Sequence, residues 1–244
     1  RRKRFRPPVA TGPDVALLIV KCRAKDTLMT VKNSQDFDAW IGQVFDHPSC
    51  GPEWDDAAGP CPSTAAEYLA QLFEAPCALL GRFSEKQIAL GLERLLSNAN
   101  SNYVFVLADE SVPQELQLRV VSSLYTLFKD LLAKICSENV GVDHPHRRPA
   151  DSICFMMWDA GLLQIYPERP EHRIVDLAIL DVLGRILALP SQACQKSALH
   201  GLGHAHYNYP DAIPPIIDAF LADHPDLNED LREYALAARV GGVL

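Results

Sequence analysis

The segment CQKSALHGLGHAHYNYPDAIPPII, residues 194–217, holds three of the chain's eight histidines, His200, His204 and His206. Two imidazoles spaced i, i+4 on a helix can hold a divalent transition metal if a third protein ligand reaches them and a position stays open for water or substrate. If Ser191 caps this helix, steps of about 100° per residue gather Cys194, Ala198, Gly201 and Ala205 on one packing face. His200 and His204 then share the opposite, exposed side, and His206 lies about 160° from His204. One helix therefore cannot aim all three at one ion. A metal centre would rest on His200 and His204, with Asp159 or loop residues completing the shell. The residues that follow His200 and His204 are Gly201 and Ala205, so the acid that serves as base in H-E-x-x-H is missing.

Other candidates are weaker. Asp159 stands beside Trp158 in an apolar segment, where it reads as a helix-end carboxylate or as a buried acid with a shifted pKa. The loop DHPHRR (143–148) offers His144, His146, Arg147 and Arg148 without a Gly-rich phosphate cradle. Asp176 and Asp181 do not share a helix face well enough to act as a carboxylate pair. Cys194 falls on the packing face, which predicts an inert thiol. The chain has no G-x-S-x-G, no P-loop and no dinucleotide turn.

Seven cysteines, odd in number and without a C-x-x-C pair, argue against a disulfide framework or a thiolate zinc site. Free thiols predict a reducing, cytoplasmic setting. No apolar run approaches the roughly 18 residues needed to span a bilayer, and VALLIV (15–20) is too short for a signal segment. The formal charge of -8 is uneven: residues 1–28 carry eight basic and two acidic side chains. The rest of the chain is strongly acidic, which favours basic partners over nucleic acid. Met29 is expected to mark the start of a single domain, 29–244, with 1–28 a basic extension.

The elements that must position these residues are helical. Thr64 with Glu67, Ser84 with Gln87 and Ser111 with Gln114 have capping-box spacing, and Pro113 suits a first turn. The stripe Leu116, Val120, Leu124, Leu127, Leu131 and Ile135 predicts a long amphipathic helix to about Cys136. Asp151 is expected to cap SICFMMWDAG, a short buried helix. NYVFVLA (102–108) alone has strand-like composition, or serves as an apolar connector. Pro210 stops the His-bearing helix, and Pro214 and Pro215 belong to the first turn of the next. Helical segments centred near 181, 199, 218 and 234 recur in alternation after 37 and 35 residues, the interval of an α-solenoid, with the clearest repeats over 173–244.

The segments FSEKQIALGLERLL, SVPQELQLRVVSSLYTLF, SICFMMWD and LALPSQACQKSALHGLGHAH, with IIDAF and LREYALAARVGGVL, resemble an uncharacterised family of bacterial proteins with HEAT-like helical repeats. The resemblance spans about residues 34–244 and implies a fold. HEAT-like metalloenzymes that hydroxylate protein side chains share such an architecture, but they take their ligands from adjacent His-Glu pairs, and none occurs here.

The sequence thus favours an all-α, HEAT-like α-solenoid with a right-handed superhelix. Its expected role is a non-enzymatic protein–protein interaction module, a scaffold or immunity-type inhibitor without a cofactor. The acidic surface would bind a protein with a basic surface, through His200, His204, His206, Tyr207 and Tyr209 at a repeat edge. The alternatives are a metal-dependent enzyme centred on His200, His204 and Asp159, and nucleic-acid contact through the basic arm, which the acidic body disfavours.

Overall fold

A computed structural model of the chain describes residues 34–47, 59–138, 148–159 and 172–243. The expectations for residues 1–28, for Met29 and for His144, His146 and Arg147 lie outside these residues. Regular structure among the described residues is helical, without a strand: α1 (Ser34–Phe45), α2 (Pro62–Glu74), α3 (Pro76–Leu80), α4 (Glu85–Leu96), α5 (Gln114–Thr126), α6 (Asp151–Met156), α7 (Arg173–Leu187), α8 (Gln192–Ala205), α9 (Ile213–Asp223) and α10 (Glu229–Ala238). None of these helices is long and apolar enough to cross a membrane. NYVFVLA forms a 3-10 helix over Tyr103–Leu107 and acts as a connector.

Local capping chemistry sets several helix starts. Ser84 accepts from the Gln87 N–H, and the Gln87 side chain accepts from the Ser84 N–H, a complete capping box for α4. Ser191 accepts from the Cys194 N–H and opens α8 as expected. Pro214 and Pro215 lie in the first turn of α9, where a missing N–H costs nothing.

Three expected caps are replaced. A proline fixed near helical φ competes with a side-chain cap, and α2 begins at Pro62, so Thr64 is already inside the helix. Glu67 instead receives Arg119 of α5 at 2.8 Å. Pro113 sits immediately before α5 without a side-chain cap, and Ser111 bonds the Asp109 carboxylate through both its N–H and its hydroxyl. Asp151 is the first residue of α6, not its cap. Its buried carboxylate accepts from Ser137 N–H (2.8 Å), the Ser137 hydroxyl (2.6 Å) and Arg148 N–H (2.8 Å), which ties the start of α6 to the end of the long helix.

That long helix runs on from α5 through a π-helical stretch, Leu127–Leu132, and a last turn, Ala133–Ile135. Leu124, Leu127 and Leu132 are completely buried, each worth about 1.5–3 kcal/mol relative to exposure. α5 packs on α2 and α7, α7 on α9, α4 on α6, and α8 on α6, α7, α9 and α10. With neighbours on four sides, α8 is buried nearly all round, not on one face alone. Its small residues allow this: a Cβ on Gly201 would lie 3.0 Å from both Leu183 Cδ2 and Trp158 Cγ.

Candidate metal centre

Trp158 determines what reaches α8. Its ring stacks on Phe128 of the π-helical stretch at 5.8 Å and 18°, and its indole N–H donates to Ser197 Oγ of α8 at 2.8 Å. Ser197 in turn donates to the Cys154 carbonyl. Held on both sides, Trp158 lies against Gly201, and the next residue, Asp159, is delivered over the histidines.

Asp159 Oδ2 lies 2.9 Å from His200 Nε2, and Asp159 Oδ1 lies 2.8 Å from His204 Nε2. The two Nε2 atoms are 3.3 Å apart. The three donor atoms fall within 4.8 Å of one another. An ion about 2.0–2.1 Å from two nitrogens at a near-tetrahedral angle separates them by about 3.3 Å, so the imidazole pair needs little movement to share one.

The histidines are not equivalent. His200 is wholly buried, which corrects the exposed position expected from the helical wheel: α6 and α10 cover that side of α8. Phe155 stacks on its ring at 4.1 Å, and Nδ1 lies 2.6 Å from the Tyr234 hydroxyl of α10. His204 keeps 38% of its side chain exposed and Asp159 27%, so the cluster opens to solvent on one side.

Burial holds the His200 pKa below its ordinary value, helped by the charges of His204 and Lys196, while the bond to Asp159 and its charge oppose the shift. A neutral imidazole is the form that ligates a metal. With Nε2 on an ion, Nδ1 would carry the proton and donate it to the Tyr234 oxygen, which would fix ring and tautomer as a partner behind a metal ligand does. Burial, and then the charge of Asp159, push the Tyr234 phenol well above its ordinary range, so it stays neutral.

The other predicted residues lie elsewhere. His206 follows α8 and packs beneath Gly241, whose φ of 73° suits a residue without a side chain; a Cβ there would meet His206 Nδ1 at 3.1 Å. Tyr207 is 90% exposed. Tyr209 points inward and donates to buried Asp176 Oδ2 at 2.8 Å. Arg148 is engaged by Glu85 and by the carbonyls of Lys134 and Cys136. Cys194 is buried as expected, beside Cys154, whose thiol is held protonated by contacts with Cys136 and Cys194 and by burial.

Sequence reasoning missed Phe155, Tyr234 and Lys196. Lys196 alone carried a readable signal, one turn before His200 on the same stripe.

No family model, curated protein or solved structure matches this chain. Fold and site define a class by themselves: an all-helical protein with a two-histidine, one-carboxylate cluster built from the residue after Trp158 and the second half of α8.

Proposed function

We propose that the chain binds one divalent transition-metal ion through Asp159, His200 Nε2 and His204 Nε2 and is a metal-dependent enzyme acting on a small molecule. The observation that carries this reading is the convergence of three donor atoms within 4.8 Å, from residues 41 positions apart in the chain, on a side open to solvent. Two histidines and one carboxylate leave coordination positions free, as catalytic zinc and non-haem iron centres do and as closed structural sites do not. The ion would supply Lewis acidity and lower the pKa of a bound water. Tyr234 supports the metal reading by holding His200 from behind.

The test is elemental mass spectrometry on tag-free protein, with Asp159→Ala and His204→Ala as variants because both side chains are partly exposed. About one transition metal per chain in the wild type, lost in both variants with helicity unchanged, is the expected result. A wild type that carries none and takes up neither zinc, iron(II) nor cobalt(II) ends this reading.

The packing is read as HEAT-like, with α2, α5, α7 and α9 forming one row and α4, α6, α8 and α10 the other, in a right-handed superhelix. The recurrence at 37 and 35 residues and the succession of neighbours support the two rows.

A protein-binding role for the acidic body is a second reading. It is favoured by Tyr207, 90% exposed, with Leu236 and Val240 exposed on the last turns of the chain. Under that reading Tyr207→Ser weakens capture of a basic protein partner and leaves metal content untouched.

A further inference from the structure

Cys136, Cys154 and Cys194 come from three segments: the end of the long helix, α6 and α8. All three are buried and carry free thiols. The backbone around them is tied together at two points. Ser137, next to Cys136, donates through its N–H and hydroxyl to Asp151, one turn before Cys154. Ser197, one turn after Cys194, donates to the Cys154 carbonyl. Between these ties the Cys154 thiol meets the thiols of both Cys136 and Cys194. A single cysteine in a core packs as a small hydrophobe and needs no further reason. Three that meet in sequence put sulfur within reach of sulfur.

The packing face predicts an inert Cys194, but its neighbours argue otherwise. The bond from Cys154 pulls the Cys194 thiol below its ordinary pKa, against burial and with help from the Ser191 hydroxyl. Contact with Cys136 and Cys194, and burial, hold the proton on Cys154. One sulfur of the pair is thus the nucleophile, and the other keeps its proton. Cys194 also lies in the first turn of α8, where the positive end of the helix dipole favours a thiolate. Ser191 and Gln192 ahead of it are half-exposed, and a helix start is the part that opens most readily. A small oxidant reaches Cys194 by that opening.

We infer that Cys194 and Cys154 are a redox pair, which a hydroperoxide converts to a disulfide joining α8 to α6. The Cys194 thiolate attacks one peroxide oxygen, the O–O bond breaks, and the other oxygen leaves and takes up the proton that Cys194 gave up, leaving a sulfenic acid. The Cys154 sulfur then attacks the sulfenic sulfur. The S–S bond forms, the S–O bond breaks, and the departing hydroxide takes the Cys154 proton and leaves as water. Two thiols lose two electrons in all, and hydrogen peroxide is reduced to two waters. An apolar core accepts the product, because a disulfide carries no charge. The new bond links the two segments that supply the candidate metal donors, and no metal ion takes part in its formation.

The experiment exposes reduced full-length protein to hydrogen peroxide at a dose that oxidises the exposed thiols of Cys61 and Cys77, which serve as internal controls. Remaining thiols are blocked with N-ethylmaleimide after unfolding, and peptides are mapped without reductant. The expected product is a Cys154–Cys194 link, lighter by two hydrogens than the reduced pair and reversed by dithiothreitol. The urea midpoint of the linked protein rises above that of the reduced one, because the unfolded chain is constrained. In Cys154→Ala the partner is gone, so Cys194 stops at the sulfenic acid and is captured by dimedone. The inference is overturned if Cys154 and Cys194 of the wild type remain open to alkylation when Cys61 and Cys77 are oxidised, or if Cys154 is recovered linked to another cysteine. Folded Cys154→Ala in which dimedone leaves Cys194 unlabelled removes Cys194 from the role of attacking thiol.

Discussion

Gly201 and Trp158 are in contact so close that a single added methyl group would stand 3.0 Å from the indole Cγ. This approach brings Asp159 to the histidines. Gly201→Ala is expected to lower stability by about 1–3 kcal/mol through overpacking. Because Trp158 must give way, metal uptake should fall as well. Urea unfolding and metal stoichiometry check the two effects separately, and unchanged uptake would show that Trp158 does not set the position of Asp159.

Tyr234→Phe removes the hydroxyl 2.6 Å from His200 Nδ1 and little else. Metal affinity should drop about 10–100-fold, as when a partner behind a metal ligand is lost. Competition with a chromogenic chelator measures this. An affinity equal to that of the wild type would mean that Phe155 and the surrounding packing orient His200 unaided.

His200 has a folded pKa below its unfolded value of about 6.5. The unfolded chain therefore binds the proton first. The stability that depends on neutral His200 is complete above about pH 6.5 and is lost as pH falls through the folded pKa. The charged groups that act on it are Asp159, His204 and Lys196. Urea midpoints of metal-free protein between pH 8 and pH 5 should fall more steeply in the wild type than in His200→Phe, which keeps a ring against Phe155. Parallel slopes would count against a buried neutral imidazole.

Asp176 predicts the opposite trend. Burial raises its folded pKa, against the bond from Tyr209 and the charges of His172 and Arg173. The folded state thus holds the proton more tightly, and stability falls as pH rises from the unfolded pKa of about 3.9 through the folded value. Asp176→Asn keeps an acceptor for Tyr209 and removes the buried charge. It should be at least as stable as the wild type near pH 7 and lose that advantage below about pH 4. A marked loss at neutral pH would show that the charge itself is needed.

Signals that act within one turn were legible in the sequence. Ser84 with Gln87, Ser191, and the prolines at 214 and 215 start helices where the spacing predicts. Thr64 and Ser111 carry the same pattern and fail, because a proline two residues away competes for the start. At the site, the His200–His204 pair was legible because both lie on one helix. Its surroundings were not. A helical wheel predicts which residues share a side, but not that α6 and α10 will cover it. Asp159 could be nominated as an acid near a tryptophan, but its arrival depends on Phe128, Ser197 and Gly201, which no local pattern joins to it. Tyr234 comes from a different helix, 34 residues on.

The π-helical stretch Leu127–Leu132 has a consequence for how this chain tolerates change. A π turn holds one more residue than the α turn it replaces, so the two halves of the long helix are out of phase by one residue. In this wider turn Leu127, Phe128, Leu131 and Leu132 all point inward, and Phe128 is the ring beneath Trp158. Deleting one residue here would restore a regular helix and leave the downstream turns facing as they do, whereas winding the same residues into a regular α-helix would rotate everything downstream by about 100°. The wide turn absorbs the extra residue, and the site inherits its alignment from this bulge some thirty positions upstream of its first donor.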